Sequence, residues 1–540
     1  MRTLLRLSVF VLSVVHAIPA RADTYPRQPG VDVIHYMFRL RVSDSSNEIQ
    51  GEMTGAFRLL TDDVQTLYLD LVAGSDGKGM TVSKVSVQGK AVPFSHEHNR
   101  LRIPVSAPAG SDVAVTVSYH GTPLAGLKLV QNIHGERTIF SDNWPDNARH
   151  WLPMIDHPYD KATGEFIVTA PAHYQVVANG LLVEEVDVPH DERRTHWRQS
   201  VPIASWLYAL GVARFSVHHY DVVRGIPQQV WAFPQDRDKA HELFELTGRR
   251  AFEYFSDSIG PYSYEKLAHV EAAAVSGGME QASAIFYGEK GVTAGRGPVV
   301  HEVAHQWFGN SVTEKDWDDV WLSEGFATYF THLFTEQFSG HDAFVRGLKN
   351  DVNVILEAQR EAPDQPVIHR NLNDMTRVLN RLVYQKAGWV LHMLRGLMGT
   401  EKFWQGVREY YRRYRNINVS TEDFRQVMQQ ASGVELQWFF DQWLKRPGLP
   451  KLAGAWSYNA SAKRVELALQ QVQAGPPYRL PLDIGLVTAD GQVTVERVEL
   501  ATADGHWTIN SEKEPASLAI DPHTWTLLES ANVTRSSQQK

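Results

Sequence analysis

Cysteine is absent from the 540-residue chain. Its absence excludes disulfide frameworks, thiolate nucleophiles, cysteine-ligated zinc or iron–sulfur sites and any lipid attached through cysteine. A metal ion in this protein must therefore be bound by histidine, aspartate or glutamate side chains.

An excess of positive charge is also lacking. The chain has 53 Lys and Arg residues against 62 Asp and Glu, which gives a formal net charge of −9. This balance disfavours a nucleic acid or an anionic membrane as partner. With 43% hydrophobic and 21% charged residues the composition is that of a globular protein, and the length predicts about three or four domains.

Long hydrophobic runs are scarce, and a short one lies near the start of the chain. Residues 7–18 are uncharged, follow two arginines and precede an A-x-A sequence at residues 20–22. The run is too short to span a bilayer, so we interpret residues 1–22 as a signal peptide cleaved before Asp23; a hydrophobic leader strand is the alternative. Cleavage would leave 50 basic against 62 acidic residues, a net charge of −12. We expect export to a bacterial periplasm or the medium.

The hydrophobic pattern changes twice along the chain. Alternation typical of strands extends over residues 32–222, helical periodicity over 236–444, and alternation returns after Pro450. We therefore predict an α+β multidomain protein with an all-β domain at 23–222, a mostly helical domain at 223–449 and a small β domain at 450–540, frayed after Arg535. The helices expected in the middle domain cover residues 241–255, 341–360, 400–414 and 420–431, the last with a capping box of Ser420 and Asp423.

Metal-ligand spacing occurs in the middle domain, where His301, Glu302 and His305 form an HExxH motif. Residues four apart on a helix lie on the same face, so both imidazoles can bind one metal ion while Glu302 lies beside them. A surface helix with two incidental histidines is the alternative, because a chain of this length shows the motif by chance in about one of fifteen to twenty cases.

Glu324 favours the metal site. It lies 19 residues after His305, on a predicted helix whose neighbouring side chains are mostly apolar. A lone carboxylate on such a face is costly to bury unless a cation compensates it. Two histidines and one glutamate leave a fourth position for water, which is the arrangement of catalytic zinc, and we expect one Zn²⁺ ion per chain.

The sequence around these residues resembles peptidase family M1, the zinc metallopeptidases of the gluzincin type that include aminopeptidase N and leukotriene A4 hydrolase. The resemblance rests on HExxH, the spacer and Glu324, and on residues 277–281 (GGMEQ), which are similar to the GxMEN motif with Gln281 in place of Asn. It covers most of the chain and suggests a short, secreted bacterial form. It implies a saddle-like N-terminal β domain, a thermolysin-like catalytic domain and a C-terminal β-sandwich.

The resemblance also implies a reaction, hydrolysis of the N-terminal peptide bond of a peptide by a zinc-activated water. Glu302 would act as the general base. Tyr384 would stabilise the oxyanion, with Tyr329 as the next candidate.

The substrate contacts implied by the resemblance lie in the GGMEQ segment. Glu280 would bind the free α-amine through a charge-assisted hydrogen bond. Gly277, Gly278 and Met279 would let the substrate backbone approach closely, as an added strand. The contact that many relatives make from the N-terminal domain has no obvious counterpart, and Asp142 or Asn143 would replace it.

Two alternatives to an aminopeptidase stay open: a zinc endopeptidase, and a non-catalytic peptide-binding protein on the same scaffold. An epoxide-hydrolase side activity exists in the wider family, but nothing in the sequence selects for it. We favour a monomer, and the preferred N-terminal side chain is not fixed by the sequence.

Other conspicuous side chains are expected to have structural roles. His218 and His219 lack a third ligand at a recognised spacing and are interpreted as surface histidines. Asp316, Asp318 and Asp319 could orient a zinc-binding histidine, but we favour a cap of the helix that carries Glu324.

Overall fold

The computed structural model describes residues 23–368, 372 and 374–536. The predicted signal peptide, residues 1–22, lies outside them, as do residues 537–540 of the predicted tail. In the described part, a strand-rich region is followed by a mixed region with nine α-helices and by a second strand-rich region. The predicted fold class is confirmed.

The N-terminal region contains three sheets that share a continuous hydrophobic core. Along its strands buried positions tend to alternate with more exposed ones, because successive side chains point to opposite faces of a sheet. Its strands are β1 (Val31–Arg41), β2 (Ile49–Leu59), β3 (Thr66–Asp70), β4 (Gly79–Val87), β5 (Lys90–Ala91), β6 (Ser95–Glu97), β7 (Arg100–Pro104), β8 (Asp112–Thr122), β9 (Leu127–Gln131), β10 (Arg137–Ser141), β11 (Ala162–Pro171), β12 (Gln175–Ala178), β13 (Leu181–Val188), β14 (Glu192–Ile203) and β15 (Leu210–Ala213).

The largest of these sheets has eight strands in the order β13-β14-β11-β1-β2-β8-β4-β5. Strands β1 and β11 pair in parallel, and the other neighbours pair antiparallel. The second sheet has the order β12-β15-β10-β9, and the third joins β3, β7 and β6.

The middle region combines a five-stranded sheet, in the order β16-β17-β18-β20-β19, with helices. The strands are β16 (Ser216–Val223), β17 (Ile226–Ala232), β18 (Leu267–Ala272), β19 (Gly278–Met279) and β20 (Ala284–Gly288), and the short strands β21 (Thr313–Glu314) and β22 (Asn418–Val419) form a separate pair. The helices are α1 (Arg237–Ser258), α2 (Glu289–Thr293), α3 (Val299–His305), α4 (Trp321–Ser339), α5 (His341–Glu361), α6 (Ala387–Met398), α7 (Thr400–Tyr414), α8 (Thr421–Ser432) and α9 (Gln437–Leu444).

The helices expected from the sequence correspond to α1, α5, α7 and α8. The capping box at the start of α8 is present, because the Ser420 hydroxyl accepts the Asp423 N–H and the Asp423 carboxylate accepts the Ser420 N–H. The expected domain boundary at residue 222 falls inside β16. Since β16 pairs with β17 of the middle sheet, we propose to place this boundary before Ser216.

The C-terminal region has two sheets, in the orders β27-β24-β23-β29 and β26-β25-β28. Its strands are β23 (Lys451–Asn459), β24 (Arg464–Gln471), β25 (Leu480–Val487), β26 (Val493–Leu500), β27 (Asp504–Asn510), β28 (Ser517–Ile520) and β29 (Ser530–Arg535). None of the helices in the described residues is both long and apolar enough to cross a membrane.

Candidate active site

His301 and His305 lie on α3 and face Glu324, which lies in the first turn of α4. Their spacing of four residues brings both imidazoles to one side of α3. The beginning of α4 is almost fully buried, with Trp321 and Phe326 in the core. The carboxylate of Glu324 therefore sits in an apolar surrounding with the two imidazoles as its neighbours.

The three ligand atoms form a nearly equilateral triangle. The Nε2 atoms of His301 and His305 are 3.0 Å apart, and Oε2 of Glu324 lies 3.3 Å and 3.2 Å from them. In a tetrahedral zinc site with ligand distances of about 2.0–2.1 Å, the ligand atoms are about 3.3 Å from one another. The distances and the donor set of these residues therefore fit a Zn²⁺ ion.

His305 is oriented by groups on the far side of its ring. Its Nδ1 lies 3.2 Å from the carbonyl oxygen of Phe308 and 3.1 Å from the hydroxyl of Ser323. A proton on Nδ1, donated to the carbonyl, leaves the lone pair of Nε2 free for a metal ion. The sequence analysis missed Ser323, although the residue directly precedes Glu324.

Glu302 lies beside the triangle rather than in it. Its side chain is buried, and Oε2 has no hydrogen-bond partner among the described residues. Burial raises the pKa of Glu302 well above its usual range, and the nearby carboxylates of Glu280 and Glu324 add to the shift. The backbone of Gly278 packs so closely that a Cβ at this position would overlap the Glu302 carboxyl group.

Glu280 follows the edge strand β19 and presents a second carboxylate to the same space. Oxygens of Glu280 and Glu302 and a nitrogen of His305 lie within 4.8 Å of one another. Oε1 of Glu280 is buried without a hydrogen-bond partner in the described part of the chain, and burial raises its pKa. Its backbone carbonyl accepts hydrogen bonds from the amides of Gln306 at 2.9 Å and Asn310 at 2.5 Å, which fixes the turn.

The other residues of the GGMEQ segment have clear positions. Gly277 has a φ of +74°, a left-handed conformation that favours glycine. Gly278 and Met279 form β19, which among the described residues pairs with β20 alone and leaves its other edge open. Gln281 is buried, with its amide 3.4 Å from the carbonyl oxygen of Ser141.

Tyr384 approaches the triangle from one turn of π-helix at Leu382–Lys386, directly before α6. Its hydroxyl donates to Oε1 of Glu324 at 2.8 Å, and its ring lies over that of His301 with centroids 6.2 Å apart. Burial and the Glu324 carboxylate raise the pKa of Tyr384 well above its usual range. Tyr329 lies elsewhere, with its hydroxyl 3.2 Å from Nδ1 of His392.

A cavity of about 800 Å³ is lined by the side chains of Glu280, His301, Glu302, His305, Glu324 and Tyr384. Asp142 also lines it, and burial raises the pKa of this carboxyl group. Asn143 does not line it: its amide donates to the carbonyl of Tyr208, and its oxygen accepts from Trp151. Of the two residues considered for the N-terminal-domain contact, Asp142 alone faces the cavity.

The prediction that an aspartate side chain caps α4 is wrong. Residues Trp317–Asp319 form a 3₁₀ turn, and neither this turn nor α4 has a side-chain cap hydrogen bond. The carboxylate of Asp316 is instead paired with Arg27, and that of Asp319 accepts the hydroxyl of Thr421.

Proteins of known function resemble this chain over much of its length. Glutamyl aminopeptidase of Bos taurus is 29% identical over 347 residues, which are 60% of this chain and 36% of the relative. Leucyl aminopeptidase of Saccharolobus solfataricus is 24% identical over 430 residues, 76% of this chain and 52% of the relative. The chain thus spans about a third to a half of the length of these curated relatives.

The fold also resembles a solved structure, that of Legionella pneumophila aminopeptidase A in complex with aspartic acid. The TM-score is 0.80 at 17% identity, over 96% of this chain and 61% of that chain. Two family models match the sequence: the Peptidase M1 N-terminal domain over residues 33–207 and the Peptidase family M1 domain over residues 244–443. With more than two thirds of its residues matched by these two models, the chain belongs to peptidase family M1.

Proposed function

We propose that the protein is a zinc-dependent aminopeptidase that hydrolyses the N-terminal peptide bond of peptides. The observation that carries this proposal is the buried carboxylate of Glu280, which lies next to the triangle of His301, His305 and Glu324 and whose Oε1 has no hydrogen-bond partner among the described residues. A buried carboxylate oxygen without a hydrogen bond is costly, and an ammonium group of the substrate would satisfy it.

A Zn²⁺ ion held by the three ligands would supply a Lewis acid that activates water and polarises the scissile carbonyl. Glu302 is placed to take a proton from the attacking water and to deliver it to the leaving amine. Burial raises its pKa, which makes the carboxylate a stronger base toward the proton of the water.

Tyr384 would stabilise the negative charge that develops on the carbonyl oxygen. Its raised pKa keeps the hydroxyl protonated, so that it remains a donor near neutral pH. Its present acceptor is the Glu324 oxygen that does not face the histidines, so the hydroxyl already points to the metal centre.

Glu280 would set the register of cleavage. An α-ammonium group bound there places the first peptide bond, and no other, beside Glu302. The open edge of β19 would accept the substrate backbone as an added strand, and Gly278 leaves room for it. Asp142 offers a second carboxylate on the cavity wall for the same ammonium group.

The proposal is tested with aminoacyl fluorogenic substrates and with matched peptides that carry a free or an acetylated N-terminus. We expect hydrolysis that a chelator abolishes and zinc restores, and no cleavage of the acetylated peptides. Glu280→Gln should lower kcat/KM by about 10–100-fold, since it removes one charge-assisted hydrogen bond. Equal cleavage of free and acetylated peptides would instead identify a zinc endopeptidase, and no chelator-sensitive turnover would leave a peptide-binding protein.

We also propose that residues 1–22 direct export of the protein to a bacterial periplasm or the medium. The charged start, apolar run and A-x-A sequence support this assignment. N-terminal sequencing of the mature protein is expected to begin at Asp23, and a sequence that begins at Met1 would refute it.

A further inference from the structure

A second cluster of metal-binding side chains lies where strand β16 meets helix α1, apart from the triangle of the candidate active site. It consists of His218 on β16 and of His241 and Glu245 on α1. One nitrogen from each imidazole and one carboxylate oxygen all lie within 4.8 Å of one another. The sequence offers His218 no further ligand at a recognised spacing, but the fold brings two potential ligands to it.

The distances from the carboxylate to the two imidazoles are similar to those in the active-site triangle, although the rings of His301 and His305 lie at 81° to each other. Oε1 of Glu245 lies 2.8 Å from Nδ1 of His218 and 3.4 Å from Nδ1 of His241. The two imidazole rings are nearly parallel, with centroids 4.6 Å apart and an angle of 23° between them. His241 and Glu245 are four residues apart on α1 and therefore face β16 together.

His241 is poorly satisfied by the protein itself. Its Nε2 is buried without a hydrogen-bond partner among the described residues, and its Nδ1 is only in ion-pair range of Glu245. A metal ion bound at Nδ1 would replace this weak contact with a metal–nitrogen bond.

We propose that His218, His241 and Glu245 form a second site for a divalent transition-metal ion of the zinc class. Two imidazoles and one carboxylate are the donors that such ions prefer, and a site built mainly of carboxylates would suit Ca²⁺ or Mg²⁺ instead. The side chains of His218 and Glu245 are 44% and 33% exposed, so water completes the coordination shell. The ion joins β16 to α1, the helix that contributes Leu243 and Thr247 to the cavity wall.

The test is a zinc titration of the metal-stripped full chain, followed by calorimetry and by metal analysis after gel filtration. We expect two equivalents for the wild type. His241→Ala and Glu245→Gln should each lose one equivalent, with the affinity of that site lowered at least about 100-fold, since even indirect partners of a ligand affect affinity 10–100-fold. His219→Ala changes the histidine next to His218 that is not in the cluster, and it should bind as much zinc as the wild type.

The readout is stoichiometry and does not depend on peptidase activity, so it is separate from the proposed function. A variant with both His301→Ala and His305→Ala reports the zinc bound at the other site. Loss of one equivalent in His241→Ala and Glu245→Gln, but not in His219→Ala, supports the proposal. Unchanged zinc binding in His241→Ala and Glu245→Gln overturns it, whichever total the wild type shows.

Discussion

The hydroxyl of Tyr384 is connected to two parts of the proposed reaction. It donates to Oε1 of Glu324, while Oε2 of the same carboxylate faces the histidines. It can therefore hold a metal ligand in place, stabilise the oxyanion, or do both. These roles have different kinetic signatures, because a ligand that is held less firmly weakens metal binding, whereas a lost oxyanion donor lowers kcat.

Tyr384→Phe distinguishes these roles. At saturating zinc we expect kcat to fall by about 10²–10³-fold with little change in KM, because one donor to the oxyanion is lost. Measurements of kcat across a zinc titration are the check. If excess zinc restores the wild-type kcat, Tyr384 only orients Glu324.

Glu302→Gln removes the proposed base and preserves the shape of the side chain. We expect kcat to fall by about 10²–10⁴-fold, with zinc content unchanged because Glu302 is not one of the three ligands. Steady-state kinetics and metal analysis of the same preparation test both parts. Wild-type turnover, or loss of the metal, would contradict the assignment.

At the residue scale, the sequence was sufficient to predict which side chains the fold brings together as candidate metal ligands. Helical spacing predicted that His301 and His305 share a face, and the apolar neighbours of Glu324 indicated that its carboxylate needs a cation. Ser323 was missed because a serine next to a ligand carries no spacing signal of its own. The cluster at His218 was missed because its members come together only through the pairing of β16 with β17 and the packing of α1.

The next scale is that of the element, and the two-residue strand β19 provides a matched pair of variants. Gly278→Ala places a methyl group against the Glu302 carboxyl group, so we expect a large loss of kcat in a protein that still folds and binds zinc. Gly277→Ala meets no atom within 4 Å and adds only the strain of its positive φ, about 1–2 kcal/mol of stability.

Thermal melts and kinetics of the two glycine variants test this difference. Gly277→Ala should melt at a lower temperature than the wild type and keep most of its turnover. Gly278→Ala should melt near the wild-type temperature and lose most of its turnover. Similar turnover in the two variants would show that the close approach to Glu302 is unimportant.

Long amphipathic helices were predictable, and short or irregular elements were not. Helix α7 begins and ends where its periodicity indicates, at Thr400 and Tyr414. Strand β18 is only six residues long and buried on both faces, and periodicity alone does not distinguish so short a run from a buried helix segment. The π turn that carries Tyr384 was not predicted, because π-helix is rare and a single turn is too short to show a periodicity of its own.

At the scale of the whole molecule, buried lysines connect segments that are distant in the sequence. Each donates to backbone carbonyls of another segment: Lys161 to Asn310 and Ser311, Lys266 to Ala178, and Lys386 to Arg446 and Gly448. Burial lowers the pKa of all three ammonium groups to about 7. The charged form of each therefore costs folding free energy at neutral pH.

This arrangement predicts a stability that increases on the alkaline side. Between about pH 7 and 10 the unfolded chain, with lysine pKa values near 10.4, binds more protons than the folded one. Each lysine should therefore raise the free energy of unfolding by up to about 1.4 kcal/mol per pH unit in this window, and add no slope below it.

Denaturant unfolding at several pH values between about 7 and 9 measures this slope, below the range where tyrosines titrate in the unfolded chain. Lys266→Met removes one titrating group and should show a shallower slope than the wild type, whatever its absolute stability. Parallel slopes for the two proteins would mean that Lys266 stays charged in the folded state.

Tyr384 and Lys386 belong to the same π turn but contact different parts of the structure. The tyrosine reaches the carboxylate of Glu324, a proposed metal ligand, and the lysine donates to the carbonyl oxygens of Arg446 and Gly448, shortly before β23. A shift of the segment that leads into the C-terminal sheets would therefore reach the tyrosine hydroxyl through less than one turn of backbone. The position of this hydroxyl beside Glu324 thus depends on the packing where the middle region meets the C-terminal one, as well as on the site itself.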